Sequence, residues 1–91
     1  MAAAQRKTDA NTGGGTISSV PQSTVYANSK LISVNGSTVA THPAGAGVHA
    51  GATTANGSST VFAGGIAINR TGDADSCTHA RIGGSDDVFV G

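Results

Sequence analysis

Gly57-Ser58-Ser59-Thr60-Val61-Phe62-Ala63-Gly64-Gly65-Ile66-Ala67-Ile68 is the stretch on which the fold turns. Val61 to Ala63 read as one strand, Gly64-Gly65 as a two-residue turn, and Ile66 to Ile68 as the returning strand. Two glycines suit a turn that needs positive φ at both central positions, the geometry whose twist matches that of the paired strands. The segment therefore reads as a β-hairpin.

The same pattern recurs on both sides of it. Ser23-Thr24-Val25-Tyr26-Ala27-Asn28 lies upstream and Asp86-Asp87-Val88-Phe89-Val90-Gly91 ends the sequence. Each copy sets a β-branched residue and an aromatic shortly before a turn former. Gly57-Ser58 and Gly84-Ser85 extend the match. In the first copy, Asn28-Ser29 takes the turn and Leu31 to Val34 return, with Ile32 and Val34 alternating with Ser33 as in a half-buried strand. A second motif also repeats: Arg6-Lys7-Thr8-Asp9-Ala10-Asn11 resembles Arg70-Thr71-Gly72-Asp73-Ala74-Asp75. Both read as polar turns that close one unit and open the next, with Arg70 and Asp73 placed to pair across the junction.

A repeat of this kind is one structural unit used several times. Each unit is too small to bury its apolar face alone. Three of them gathered about an axis can share one core. No helical period appears, glutamate is absent, and Gly, Ser and Thr are abundant, which favours turns and short strands. Thr12-Gly13-Gly14-Gly15 and the stretch from His42 to Ala55, broken by Gly45, Gly47 and Gly51, read as loops. The expected fold is all-β: a single domain over residues 1–91, shaped as a small cone of short β-hairpins with pseudo-threefold symmetry and stapled by zinc near its apex.

The need for a staple follows from composition. The chain has 91 residues with one Tyr, two Phe, no Trp and one Met. A core so short of large side chains barely offsets conformational entropy. One cysteine, Cys77, cannot form a disulfide within the chain, so a metal or a partner protein remains. Five basic and five acidic residues cancel. That leaves no basic stripe to displace counterions, so no nucleic-acid partner is expected. Runs such as Val61-Phe62-Ala63 are far too short to span a bilayer. Met1 to Lys7 lacks the apolar region of a signal peptide, so synthesis in the cytoplasm is expected, with any export by a route other than general secretion.

The three histidines, His42, His49 and His79, and Cys77 all fall outside the repeated strand segments. Three imidazoles and one thiolate complete a tetrahedral zinc shell with no open position. Cys77 and His79, two apart, would share a face of an extended strand, with His42 and His49 folded over it from a loop. The plainer alternative is a set of surface histidines and a small buried cysteine with no ligand role. The spacing fits no zinc-finger pattern. If the zinc site forms, it contributes on the order of 10–16 kcal/mol at neutral pH.

Gly57-Ser58-Ser59-Thr60-Val61-Phe62-Ala63-Gly64-Gly65 and Gly84-Ser85-Asp86-Asp87-Val88-Phe89-Val90-Gly91 resemble the strand-and-turn unit of the PAAR family, and Gly72-Asp73 resembles its Gly-Asp junctions. The proline-containing tetrapeptide of that family is replaced by Ala67-Ile68-Asn69-Arg70. The resemblance spans nearly the whole chain. It implies a sharp cone that caps the trimeric β-helical spike of a contractile injection machine, either a phage tail baseplate or a type VI secretion system. It implies one tip per trimer and a transient encounter with a target-cell membrane. It also implies a structural Zn2+ held by three histidines and a cysteine, a stoichiometry met here by His42, His49, Cys77 and His79. Val25, Tyr26, Val61, Phe62, Val88 and Phe89 are then expected in the shared core or the base. The chain would be a structural protein with no small-molecule substrate and no catalytic residue, located at the virion tail tip or the tip of a secretion spike.

The rival is a small zinc-dependent hydrolase. Only the three histidines would bind the metal, a bound water would be activated, and Asp73 or Asp75 would act as base. The lack of apolar wall for a pocket, and Cys77 ready to fill the fourth position, weigh against it. Gly13-Gly14-Gly15 lacks the Lys-Ser/Thr of a phosphate loop, and no Gly-x-Ser-x-Gly elbow occurs.

Overall fold

The computed structural model describes residues 2–44 and 47–91, with residues 43, 44, 48 and 49 described by backbone alone. The protein is all-β, and no helix occurs among the described residues. The strands are β1 (Ala2–Ala3), β2 (Ile17–Ser19), β3 (Tyr26–Ala27), β4 (Lys30–Leu31), β5 (Thr38–Val39), β6 (His42–Ala44), β7 (Gly47–His49), β8 (Phe62–Ala63), β9 (Ile66–Ala67) and β10 (Phe89–Val90). They pair antiparallel in twos: β1 with β10, β2 with β5, β3 with β4, β6 with β7 and β8 with β9.

Two of the pairs are the hairpins read from the sequence. In β8–β9, Phe62 faces Ala67 and Ala63 faces Ile66. The turn between them holds Gly64 at φ 59° and Gly65 at φ 78°. In β3–β4, Tyr26 faces Leu31 and Ala27 faces Lys30, with Asn28 at φ 55° and Ser29 at φ 65°. The third copy of the pattern has no return strand after it in the sequence. It finds one at the other end of the chain, where Phe89 faces Ala3 and Val90 faces Ala2.

Each of the three segments is launched the same way. The Ser58 hydroxyl accepts the backbone N–H groups of Thr60 and Val61. The Ser85 hydroxyl does so for Asp87 and Val88, and Gln22 Oε1 for Thr24 and Val25. All three side chains are buried. A short polar side chain that mimics a backbone carbonyl is the device that favours Ser at turn starts, and Gln22 reaches the same place with a longer arm.

The residue after each return strand enters a closed ring. Ser33 N–H donates to the Gln5 carbonyl (2.9 Å), Gln5 N–H to the Asn69 carbonyl (3.0 Å), and Asn69 N–H to the Ser33 carbonyl (2.9 Å). Bridges Arg6–Ile32, Val34–Ile68 and Ala4–Arg70 link the neighbouring positions in the same cyclic order. Beyond the ring come three tight turns, with Thr8, Gly36 and Gly72 at φ 80°, 87° and 94°. The Asp9 carboxylate pairs with Arg6 at 2.9 Å and Asp73 with Arg70 at 2.9 Å, while Ser37 holds the corresponding place opposite Val34. A further level sets Asn11 against Arg81, Asp75 against Thr54 and Val39 against Ile17.

The main core consists of Ala4, Ala27, Ile32, Val34, Ala63, Ile68 and Val90, with Val25 and Val88 packed against it. The aromatics do not belong to it. Tyr26, Phe62 and Phe89, one per hairpin, are 58%, 56% and 51% exposed, and Val61 is also exposed. The period of two along a strand explains the split. Ala27, Ala63 and Val90 point inward, so the residue before each points out. The molecule is elongated, with extents of 36 × 23 × 23 Å.

Candidate metal centre

Past the Asn11–Arg81 level, each unit must turn back. In the unit that begins with β1, the turn runs from Asn11 to Gly15. Asn11 N–H donates to the Gly15 carbonyl and Gly14 N–H to the Asn11 carbonyl, both at 3.0 Å. In the unit of β9, the turn from Asp75 to His79 repeats those two bonds: Asp75 N–H to the His79 carbonyl and Thr78 N–H to the Asp75 carbonyl, both at 2.9 Å. Flanking bridges Ala10–Thr16 and Ala74–Ala80 complete the correspondence. Gly14 at φ 85° matches Thr78 at φ 73°. Gly13 is therefore the counterpart of Cys77, and Gly15 of His79. Cys77 and His79 lie on this turn, and not on an extended strand as their spacing predicts.

The middle unit leaves its corresponding turn as the β6–β7 pair. The stretch from His42 reads as a loop in the sequence but forms strands, with His42 opposite His49. Backbone pairing wins over the glycine-rich composition because three consecutive antiparallel partners match. The side chain of His49 lies outside the described residues.

His42, Cys77 and His79 come together, and their ligand atoms all lie within 4.8 Å of one another. His42 Nε2 stands 3.1 Å from His79 Nδ1 and 3.6 Å from Cys77 Sγ. The edges of a tetrahedral zinc site with ordinary bond lengths are about 3.3 Å for N···N and about 3.5 Å for N···S. His42 is buried and the other two are half-buried.

The imidazole of His42 is held in the ligand tautomer. Its Nδ1 lies 2.7 Å from the Ala40 carbonyl oxygen, which can only accept. The proton therefore sits on Nδ1 and the lone pair on Nε2, an assignment made from the hydrogen-bond network. A backbone carbonyl on the non-ligating nitrogen is the usual outer partner of a metal-binding histidine.

The unit without ligands makes the room. A Cβ on Gly13 would stand 2.2 Å from His79 Cε1, and one on Gly15 would stand 2.5 Å from His42 Nδ1. Two units thus bring His42, Cys77 and His79, and the third, bare at both positions, lets the two imidazoles in. The sequence reading takes Gly13-Gly14-Gly15 only as a flexible loop. The signal was present: carrying the Arg6-to-Asn11 and Arg70-to-Asp75 alignment four residues further sets Gly13 on Cys77 and Gly15 on His79.

Beneath the cluster is a buried polar floor. Arg81 Nη1 lies 3.1 Å from Asp75 Oδ2, and both side chains are fully buried. Arg81 Nη2 also donates to the carbonyls of Asp9 and Gly15. Burial pulls the Arg81 pKa below its ordinary value, with Asp75 opposing the shift. Asn11 Nδ2 donates to Asp75 Oδ2 at 2.8 Å. Asp73, the other base considered for a hydrolase, is taken up by Arg70. No pocket occurs among the described residues.

The donor set, the oriented His42 ring and the glycine cradle fit a metal ion. Bound there, an ion would join residues 42, 77 and 79 across two units as a cross-link. Compared with models of known protein families and with curated proteins, the sequence matches none.

Proposed function

We propose that the protein is a zinc-stapled tip that caps a trimeric spike, as its resemblance to the PAAR family implies. In this reading, one monomer imitates a trimer. The three like hairpins form a base of pseudo-threefold symmetry, one tip seats on one β-helical trimer, and the metal stiffens the opposite end. The observation that carries the reading is the closed ring through Ser33, Gln5 and Asn69, with a hairpin strand leading into each of the three units and the segments bearing His42, Cys77 and His79 lying beyond it along the chain.

Supporting it, each hairpin offers one exposed aromatic at the same register position: Tyr26, Phe62 and Phe89. Aromatics at the centre of an interface are the residues that most often anchor it. At the other end, His49, whose backbone pairs with that of His42, supplies the fourth ligand. A shell of three imidazoles and one thiolate has no open position for a reacting water. The role is then mechanical and not catalytic: a point that keeps its shape while driven through a membrane, on a phage tail or a secretion spike.

Co-purification with candidate trimeric β-helical spike proteins, with zinc measured in the same sample, tests the reading. The expected result is one tip per three spike chains and one zinc per tip. A one-to-one ratio of tip to spike chain, or a metal-free complex, would overturn it.

A further inference from the structure

We infer that Asn11 is a positioning residue for the metal-binding thiolate of Cys77, an inference that rests on reading His42, Cys77 and His79 as ligands. Asn11 is 1% exposed, and both ends of its amide are committed. Oδ1 accepts the backbone N–H groups of Gly13 (2.9 Å) and Gly15 (2.8 Å). Nδ2 donates to Asp75 Oδ2 at 2.8 Å and also faces Cys77 Sγ at 4.0 Å.

Those contacts touch every part of the centre. The oxygen fixes the two glycines whose bare Cα atoms admit His79 and His42. One amide proton ties the turn to the Asp75 carboxylate, which Arg81 holds from its other side. An amide carries two protons, which leaves the second available to the sulfur 4.0 Å away. An N–H facing a half-buried thiolate stabilises its charge and fixes its direction.

The counterpart positions sharpen the point. Val39 and Asp75 occupy the place of Asn11 in the other two units, opposite Ile17 and Thr54. Valine can neither accept from the turn nor donate to sulfur, and a carboxylate can only accept. Asn alone among the three does both, and it stands in the unit whose turn carries no ligand.

The test uses the full chain. Zinc affinity and the thiolate-to-cobalt charge-transfer band of the cobalt-loaded protein are measured for the wild type, Asn11→Ala, and the exchange variant Asn11→Asp with Asp75→Asn. The exchange keeps an acceptor for Gly13 and Gly15 and an amide–carboxylate bond between the two positions, but replaces the donor facing Cys77 with an acceptor. Because it also takes the carboxylate from Arg81, it is read against Asp75→Asn alone. Both variants are expected to bind zinc about 10- to 100-fold more weakly, the usual loss for an outer-shell partner, and to shift the cobalt band. Unchanged affinity and band would overturn the inference. In the wild type, exchanging zinc for cadmium is expected to move the Asn11 side-chain amide resonances. Unmoved resonances would overturn it even if both variants failed to fold. A wild type that binds neither zinc nor cobalt would instead refute the ligand reading, before any variant is made.

Discussion

Ala4 and Val90 reverse the sizes found at their counterparts. The first hairpin buries Ala27 and Ile32, the second Ala63 and Ile68, and the third Val90 and Ala4. All six belong to one core cluster. Each hairpin thus contributes one small and one larger apolar side chain, but the third exchanges which strand carries which.

That exchange predicts coupling. Ala4→Ile alone overpacks a filled core and is expected to cost about 1–3 kcal/mol. Val90→Ala alone leaves a void and is expected to cost about 1–3 kcal/mol by analogy with other methyl deletions. The double variant restores the pattern of the other two hairpins and should be more stable than the sum of the singles by about 1 kcal/mol or more. Denaturant unfolding of the four proteins measures the cycle. Strict additivity would show that the two side chains do not share a space.

The two hairpins were legible in the sequence, because a period of two and a paired-glycine turn are local signals. Of the residues expected in the core or base, however, only Val25 and Val88 pack against the core, which Ala27, Ala63 and Val90 fill instead. Val61-Phe62-Ala63-Gly64-Gly65 already contains its strand and its turn, but not which of its side chains turns inward. The return strand of the last copy was not legible, since Ala2-Ala3-Ala4 carries no β signal and only tertiary pairing gives it one. The ligand types were legible from counting histidines and the cysteine. Their placement was not: glycine composition hides the β6–β7 pairing, and a two-residue spacing does not tell a strand from the turn that holds Cys77 and His79.

The exposed aromatics give a prediction for the proposed base. Tyr26→Ser, Phe62→Ser and Phe89→Ser act at sites already more than half exposed, so each should change stability by no more than about 0.5 kcal/mol. If these residues anchor the spike, each should weaken tip–spike binding by about 2 kcal/mol, or roughly 30-fold. Calorimetric titration of tip into spike trimer measures it. Retained affinity in all three would move the interface elsewhere.

Asp87 should contribute to acid sensitivity. Its carboxylate accepts from the Asn28 amide (2.8 Å) and the Ser85 hydroxyl (3.0 Å). Asn28 first and Ser85 second hold its pKa below the ordinary carboxylate value. A depressed folded pKa stabilises the fold above the unfolded value, about 3.9, and this contribution is lost as pH falls through the folded pKa. The stability difference between the wild type and Asp87→Asn should therefore be constant near neutrality and shrink below about pH 4. Thermal melts across that range follow it, and a pH-independent difference would remove Asp87 from the account.

Arg81 and Asp75 form a buried pair that should be costly to break. Arg81→Met leaves the Asp75 carboxylate buried with Asn11 as its remaining side-chain partner, and takes one of two donors from the carbonyls of Asp9 and Gly15, which keep the backbone N–H groups of Ile17 and Asn11. The expected loss is about 3–5 kcal/mol. Replacing both partners, Arg81→Ile with Asp75→Val, recreates the residue types that Ile17 and Val39 present at the same level and should cost less than Arg81→Met alone. Unfolding of the metal-loaded proteins gives the comparison. A double variant worse than the single would mean that an unpaired Asp75 carboxylate is not what makes the loss of Arg81 costly.

The glycine cradle makes the sharpest distinction, because three adjacent glycines should respond differently to the same change. At Gly13 and Gly15 an added Cβ would fall 2.2 Å from His79 and 2.5 Å from His42, so alanine at either position must displace an imidazole. At Gly14 an added Cβ meets nothing within 4 Å, but the backbone sits at φ 85°. Gly14→Ala should therefore cost about 1–2 kcal/mol of left-handed strain while keeping full zinc affinity, and Gly14→Asn should cost less, since Asn tolerates that conformation. Gly13→Ala and Gly15→Ala should lose zinc affinity by far more than their loss of stability without metal. Measuring unfolding with and without chelator, beside zinc titrations, separates the two effects. Equal zinc affinity in all of these variants would mean that the space above Gly13 and Gly15 plays no part in holding the ligands.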